Sequence, residues 1–275
     1  MSDPILIVAA LNGTRTRDEC PKLPLSPQEV ASEAKRAVDA GAGMVHVHAR
    51  RADGAPSFDF VIDELVAAIR GAVDVPISLS TQRTQQTSLG TVTALFRVLS
   101  DLPDVGAVHV RAPEPDLPAH REEARQILEA LEEADVRPAP VAGGLDALGD
   151  LEALYADSLL GRAPFVLLQL GGAMSASSDV AAGTPQNVVR LLDAARESLQ
   201  GMPVVASGRD DASPVVQAVA AAAGAHLRVG LEDAATLPDG SPASSSAQLV
   251  EHAVRLAAAL GRAPMSPDDA RRLLR

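Results

Sequence analysis

Ser26-Pro27-Gln28-Glu29, then Ala40-Gly41-Ala42, then Met44-Val45-His46-Val47-His48-Ala49 set out one complete passage from helix to strand. Ser26 is placed to cap a helix, Pro27 suits its first position, and Glu29 stands in capping-box register. The helix stops near Gly41. An apolar run follows in which valine alternates with histidine, the two-residue period of a strand. Upstream, Pro4–Leu11 is another short apolar run. Strand, helix and strand in this order make a βαβ unit, the building block of a parallel sheet.

The passage recurs to the end of the chain. Strands are predicted at Pro4–Leu11, Met44–Ala49, Val75–Ser80, Val105–Val110, Arg137–Ala142, Phe165–Leu170, Val204–Ser207 and Leu227–Leu231. Helices are predicted from Ser26-Pro27 to Gly41, over Phe58–Arg70, Leu89–Leu99, Ala119–Glu133 and Leu148–Ser158, from Thr184-Pro185 to near Leu199, from Ser213-Pro214, and over Ala247–Leu260. Ser266-Pro267-Asp268-Asp269 caps one last short helix. Ala223-Gly224-Ala225 before Leu227-Arg228 echoes Ala40-Gly41-Ala42 before Val45-His46. Eight βα units in about 250 residues fit a single-domain (β/α)8 TIM barrel. An open doubly wound sheet is the alternative, but Asn12-Gly13-Thr14 follows the first strand and no G-x-G-x-x-G is present.

Composition narrows the function. The 275 residues carry 36 Asp plus Glu against 24 Lys plus Arg, a formal net charge of −12. That sign disfavours a nucleic-acid or anionic-membrane surface, and 2% aromatic residues leave no base-stacking platform. With 47% hydrophobic and 22% charged residues the chain reads as a folded protein with a sizeable core. Cys20 is the only cysteine, which excludes an intrachain disulfide framework and a Cys-rich metal site. The start does not read as a signal peptide, and no run approaches the roughly 18 apolar residues of a membrane span, so a cytoplasmic location is expected. Lysine occurs only at Lys22, in a Pro-flanked loop, and Lys35, on a polar helix position. Imine chemistry needs a desolvated lysine, so a metal is the more natural electrophile.

In Val45-His46-Val47-His48-Ala49-Arg50, alternation puts both imidazoles on one strand face, near the end where barrel active sites sit. They form half of a metal site, or two histidines bonded to neighbours. Arg228-Val229-Gly230-Leu231-Glu232-Asp233 closes the last strand at the same rim. One carboxylate there could join the two histidines in a zinc site with an open position, the other could act as a base, and Arg228 could grip an anionic group. The plain reading is a solvated acidic loop with an ion pair. Ser80-Thr81 ends the third strand, and either orients substrate or caps the next element. His109 and Arg111 end the fourth strand and face the same mouth. Gly171-Gly172 and Ser207-Gly208-Arg209 close strands six and seven, as turns or as places where a ligand nears the backbone. His120, His226 and His252 show no partner pattern, and Asp53-Gly54 reads as a tight turn.

These residues, taken together, resemble the β-keto acid cleavage enzyme family. Leu11-Asn12-Gly13, Pro21-Lys22-Leu23-Pro24-Leu25-Ser26-Pro27, Ala40-Gly41-Ala42, His46-x-His48-x-Arg50 and Asp53-Gly54 are similar to its N-terminal signature. Arg228–Asp233 with Leu237-Pro238-Asp239-Gly240 is similar to its C-terminal one, and Leu168 to Met174 resembles its Gly-Gly-Met segment. The resemblance implies a zinc-dependent barrel, usually a homotetramer. It implies an acyltransferase that combines a β-keto acid with acetyl-CoA and releases acetoacetate and a new acyl-CoA. It implies zinc on His46, His48 and Glu232, Asp233 as acid/base, Arg228 beside it, and Ser80 positioning substrate and base. Thr81, His109, Arg209 and Asn12 are the expected substrate contacts. The chain departs from the family pattern at Gln82, where Gly is usual, and at Ala107 and His109, where Thr and Asn are usual. It also lacks a Glu near Thr14 and Arg15, and lacks acidic residues in Pro140–Gly144, so nothing is in place to greet a substrate ammonium.

Two further enzymes share parts of this pattern. Amidohydrolase-like barrels carry H-x-H on the first strand with more histidines on middle strands, whereas here the pair lies on the second and no histidine falls between His120 and His226. A metal-dependent aldolase or lyase would share the site and need no coenzyme A. A barrel that only binds a small acid is the non-catalytic alternative.

Overall fold

The predicted apolar runs form the staves of a closed barrel. A computed structural model describes residues 3–84, 86–111, 120–172 and 180–275. Strands β1 (Ile7–Ala10), β2 (Met44–Val47), β3 (Ile77–Ser80), β4 (Val105–His109), β5 (Arg137–Ala142), β6 (Val166–Gly171), β7 (Val204–Arg209) and β8 (His226–Val229) pair in sequence order. All pairings are parallel, and β1 closes on β8 with Ile7 opposite Leu227 and Val8 opposite Arg228. Between and after them run α1 (Pro27–Asp39), α2 (Val61–Ala72), α3 (Leu89–Leu95), α4 (Arg121–Glu133), α5 (Leu145–Ala156), α6 (Pro185–Ser198), α7 (Ser213–Ala222), α8 (Ser246–Ala259) and α9 (Pro267–Leu273). The open-sheet alternative is thereby excluded.

Local chemistry sets the helix ends. Ser26 accepts the Glu29 N–H while the Glu29 carboxylate accepts the Ser26 N–H. The Ser26 and Leu25 amides, followed by Arg17, hold the Glu29 carboxyl down at about 2. The echo seen in the sequence is a repeated helix stop. Ala42 N–H donates to the Ala37 carbonyl and Gly41 to Val38, while Ala225 donates to Ala220 and Gly224 to Ala221. Both are Schellman motifs. Three helix boundaries differ from expectation by three residues or more. α2 begins at Val61 because Asp59 first accepts the Ser57 hydroxyl and the Val61 N–H, making a turn of the preceding residues. α3 stops at Leu95, where Arg97 and Val98 bond three residues back and tighten the last turn. α5 starts at Leu145 from Gly144, which has no side chain to signal the cap.

Side chains alternate between two cores. Outward residues such as Ile7, Val45, Ile77, Leu168 and Leu227 meet the helices. Inward residues Leu6, Val8, Met44, Val105, Phe165, Leu167 and Val205 fill the barrel floor with Ala270 and Leu274 around α9, which plugs that end. Cys20 is buried in the outer core, and burial raises its thiol pKa. Among the described residues, no helix is long and apolar enough to cross a membrane. Nearer the strand C-termini the same inward face turns polar on β2, β7 and β8: His46, two residues past Met44, Ser207, two past Val205, and Arg228 are all buried. The strand β8 ends at Val229 rather than at Leu231. Gly230 lies at φ +150°, and a Cβ on it would fall 2.0 Å from the Ala10 carbonyl oxygen. This close passage lifts the chain out of the ladder, and the Glu232 N–H then bonds the same carbonyl.

Candidate metal centre at the barrel mouth

Met44 points to the barrel floor, so the strand period places His46 and then His48 on the same inward face toward the mouth. The turn at Gly230 delivers Glu232 across the barrel to meet them. One ligand atom from each of His46, His48 and Glu232 lies within 4.8 Å of the others. His46 Nε2 is 3.6 Å from Glu232 Oε2, and His48 Nε2 is 3.5 Å from Glu232 Oε1. The two imidazole rings stand edge to face, with centroids 5.3 Å apart.

This donor set fits a metal. Two imidazoles and a carboxylate are the ligands of an open three-protein-ligand zinc site. Glu232 Oε2 is buried and has no hydrogen-bond partner, whereas a buried carboxylate oxygen normally has one. His46 Nδ1 lies 3.0 Å from Ser78 Oγ, which leaves Nε2 facing Glu232. Burial, its largest influence, holds the His46 pKa well below the ordinary value, so the ring is the neutral form that ligates. Burial resists the charge on Glu232, but the Arg228 guanidinium above all outweighs it and keeps the carboxyl well below its ordinary pKa. Gly13 makes room for that side chain: at φ +59° its Cβ would fall 2.2 Å from Glu232 Cγ.

Arg228 comes up the inside of β8 and engages both carboxylates. Its Nε donates to Asp233 Oδ2 at 3.1 Å, and its Nη2 to Asp233 Oδ1 at 2.6 Å and Glu232 Oε1 at 2.8 Å. Its Nε and Nη2 are therefore taken up by the chain's own carboxylates. Asp233 has no exposed surface. Arg15, from the loop after β1, donates to the carbonyls of Glu232 and Asp233 and pairs with Asp210. That loop is tied to the one after β2 by Arg50, which donates to the carbonyls of Gly13, Arg15 and Gly54.

The expected substrate contacts divide in two. Asn12 is fully buried, and its amide is engaged by backbone: Oδ1 accepts the Gly13 and His48 N–H groups, and Nδ2 donates to the His48 carbonyl. Thr81 donates its hydroxyl to the Ala107 carbonyl at 2.8 Å and binds β3 to β4. Both side chains are thus engaged by backbone, Asn12 fixing His48 and Thr81 joining β3 to β4. Ser80 accepts the Gln82 N–H, which leaves its own proton to donate. Burial pushes the His109 pKa down to about 3, with Arg228 and His48 adding to the effect, so the ring is neutral and within reach of the centre's field. Arg209 Nη1 lies 3.8 Å from Asp233 Oδ1 and 4.0 Å from Glu232 Oε1. Gly171 and Gly172 lie beside it, but Met174 of the Gly-Gly-Met segment is outside the described residues. Arg111 pairs instead with Asp150, on α5. His226 accepts the Leu6 N–H on the floor side, and His120 caps α4, both remote from the centre.

Sequence reasoning missed Ser78, which supports His46, and Arg15, which rivets the acidic loop. The alternation Ile77-Ser78-Leu79-Ser80 carried a signal for Ser78, since it shares a face with Ser80. No local signal marks Arg15.

The chain is similar along its whole length to known enzymes. A 3-keto-5-aminohexanoate cleavage enzyme from Fusobacterium nucleatum is 28% identical over 286 residues, covering 100% of this chain and 98% of its own length. One from Acetoanaerobium sticklandii is 27% identical over 284 residues, covering 98% of this chain and 97% of its own. Among solved structures, the binary complex of ObcA with oxaloacetate superposes with a TM-score of 0.75 at 17% identity, over 92% of this chain and 67% of that one. A type I 3-dehydroquinate dehydratase from Clostridium difficile gives 0.60 at 15% identity, over 95% and 94%. Structural likenesses at identities this low show the shared barrel alone. The sequence model of the beta-keto acid cleavage enzyme matches residues 4–275, and the chain accordingly belongs to the β-keto acid cleavage enzyme family.

Proposed function

We propose that the protein is a zinc-dependent acyltransferase that exchanges acyl groups between a β-keto acid and acetyl-CoA. The observation that carries this is the convergence of His46, His48 and the unpartnered Glu232 Oε2 beside an arginine-clamped Asp233. His46, His48 and Glu232 hold the ion. When bound, it supplies the Lewis acidity that acidifies a carbon flanked by two carbonyl groups.

The chain's own residues do the rest. Asp233 accepts the proton from the carbon between the keto and carboxylate groups. Arg228 fixes the Asp233 carboxylate in one place and balances its charge. Ser80 donates its remaining proton to a substrate oxygen and sets the substrate against the base. The carbanion attacks the acetyl thioester carbonyl and the CoA thiolate departs. That thiolate then attacks the original keto carbon, and the adjacent carbon–carbon bond breaks. Acetoacetate leaves once Asp233 returns its proton, and the remaining acyl group leaves as acyl-CoA. Every atom of the β-keto acid and acetyl-CoA is accounted for, and no lysine or cysteine nucleophile is needed. His109 and Arg209 line the place of the substrate side chain.

A homotetramer in the cytoplasm belongs to the same proposal. Light scattering on purified protein tests the assembly. The central experiment is a panel of β-keto acids with acetyl-CoA, followed by mass spectrometry. Acetoacetate and a matching acyl-CoA in equal amounts are expected. Consumption without acetyl-CoA would replace the transferase with a lyase, and binding without any turnover would leave a small-acid-binding barrel.

A further inference from the structure

The mouth of the barrel holds several guanidinium groups, and they are not alike. Arg15 engages Asp210 and two carbonyls, Arg50 three carbonyls, Arg83 Glu123, and Arg228 both site carboxylates. Arg209 has no such engagement. Its nearest carboxylate oxygens, at 3.8 and 4.0 Å, lie beyond hydrogen-bond distance, and its guanidinium donates to none of the described residues. Yet its side chain is only 12% exposed. A guanidinium so shielded, with no acceptor of the chain in hydrogen-bond reach, is placed to gain a charge-assisted contact from an anionic ligand that enters the mouth. Its position is also protected: a Cβ on Gly172 would fall 2.7 Å from Arg209 Cβ.

The acidic groups around it are already held. Glu232 and Asp233 are bonded by Arg228, Asp210 by Arg15, and Glu19, which also feels Arg209, by the amide and hydroxyl of Thr16. The carboxylates nearest Arg209 are therefore already committed to the chain's own groups rather than held ready for a substrate ammonium. Asp210, Glu232 and Asp233 balance Arg15, Arg209 and Arg228, so a bound divalent ion leaves two positive charges. A monoanionic β-keto acid cancels one of them and a dianionic one cancels both.

We propose that the substrate is a β-keto acid with a second carboxylate, and that Arg209 receives that distal carboxylate in its two-pronged fork. This rests on the β-keto acid reading of the site and goes beyond it to the substrate class. Because Arg209 Nη1 stands 4.0 Å from the ligand Glu232, the second carboxylate belongs on a short side chain.

The test uses purified protein as isolated and three probes of one skeleton: glutarate, butyrate and 4-aminobutyrate. Calorimetry and thermal upshift read their binding without requiring turnover. Glutarate is expected to bind roughly tenfold or more tighter than butyrate, as a charge-assisted bidentate contact provides, with 4-aminobutyrate weakest. Arg209→Gln is expected to bring the glutarate-to-butyrate ratio close to one, and Arg209→Lys to restore part of it. Equal binding of glutarate and butyrate by the wild-type protein overturns the proposal without any variant. An unchanged ratio in a folded Arg209→Gln protein overturns it as well. The turnover panel remains a separate test: no β-keto acid consumed while the Arg209-dependent ratio persists refutes the reaction and keeps the anion assignment. Turnover of neutral or cationic substrates without a glutarate preference keeps the reaction and refutes the assignment.

Discussion

Asn12 holds the peptide of His48 at both ends. Its Oδ1 accepts the His48 N–H at 2.9 Å, and its Nδ2 donates to the His48 carbonyl at 3.0 Å. A candidate metal ligand just past the end of β2 is thus fixed by a side chain just past the end of β1. Supporting residues of this kind typically affect metal affinity by about 10–100-fold when removed. Asn12→Ala is therefore expected to weaken zinc binding by about that factor while keeping all three ligands. Competition with a chromophoric chelator measures it, and an unchanged affinity would deny the clamp a role in the site.

Glu232→Gln keeps shape and removes charge. Zinc in purified protein is expected to fall from about one per chain to a small fraction, because the ligand set loses its only anion. Metal analysis by mass spectrometry decides the matter. A wild-type protein that takes up no zinc even on reconstitution would end the metalloenzyme reading.

Gly13→Ala changes no ligand and touches no substrate. Its Cβ would sit 2.2 Å from Glu232 Cγ, at a φ of +59° that side chains rarely adopt. Glu232 must shift or the loop must reshape, so reduced zinc content with a largely intact circular dichroism spectrum is expected. Full zinc occupancy would show that the carboxylate has room to move.

Asp233→Asn should separate binding from chemistry. Zinc is expected to remain, since Asp233 is not among the ligands, and turnover should fall by about 10²–10⁴-fold, the usual worth of a positioned base. The same change leaves the buried Arg228 with Glu232 as its one charged hydrogen-bond partner among the described residues, so some stability is lost as well. Melting curves and zinc content must therefore accompany the rates. Wild-type turnover would remove Asp233 from the mechanism.

His226 gives a pH dependence far from the site. Burial, with Arg262 adding to it, pushes its pKa down to about 4, and the neutral ring accepts the Leu6 N–H. Above about pH 6.5 the ring is neutral in both folded and unfolded chains, and its contribution is complete. Between about pH 6.5 and 4 the unfolded chain takes up a proton that the folded one refuses, and stability falls by about 3 kcal/mol. Below about pH 4 both forms are protonated and no more is lost. His226→Gln keeps an acceptor for Leu6 and should flatten this part of the curve. Urea melts from pH 4 to 7, compared between the two proteins, isolate the His226 share from that of other acidic-range groups.

Much of the architecture was legible because it is written locally. The Ser26 capping box, the stops at Gly41 and Gly224, and the valine-histidine alternation of β2 each depend on residues a few positions apart. The boundaries that moved, at Val61, Leu95 and Leu145, did so where a turn or an uncapped glycine carries no strong side-chain signal. The partners of Asn12 and Thr81 were not legible for another reason. Residue type indicated a polar group at the mouth, but only the neighbours show whether that group meets the backbone, a carboxylate or open space.

What the amino-acid order determined by itself is therefore the eightfold alternation and the common face of His46 and His48, since both follow from backbone periods within single elements. Closure of β1 on β8 decided the remainder. It brought Glu232 to the histidines, while the β2–β3 register set Ser78 behind His46 and the turn after β8 brought Asp233 back onto Arg228. Each of these joins segments distant in the chain or brought together by the turn after β8. Their meeting is fixed by barrel register and by close passages such as Gly230 against Ala10, which no local pattern encodes.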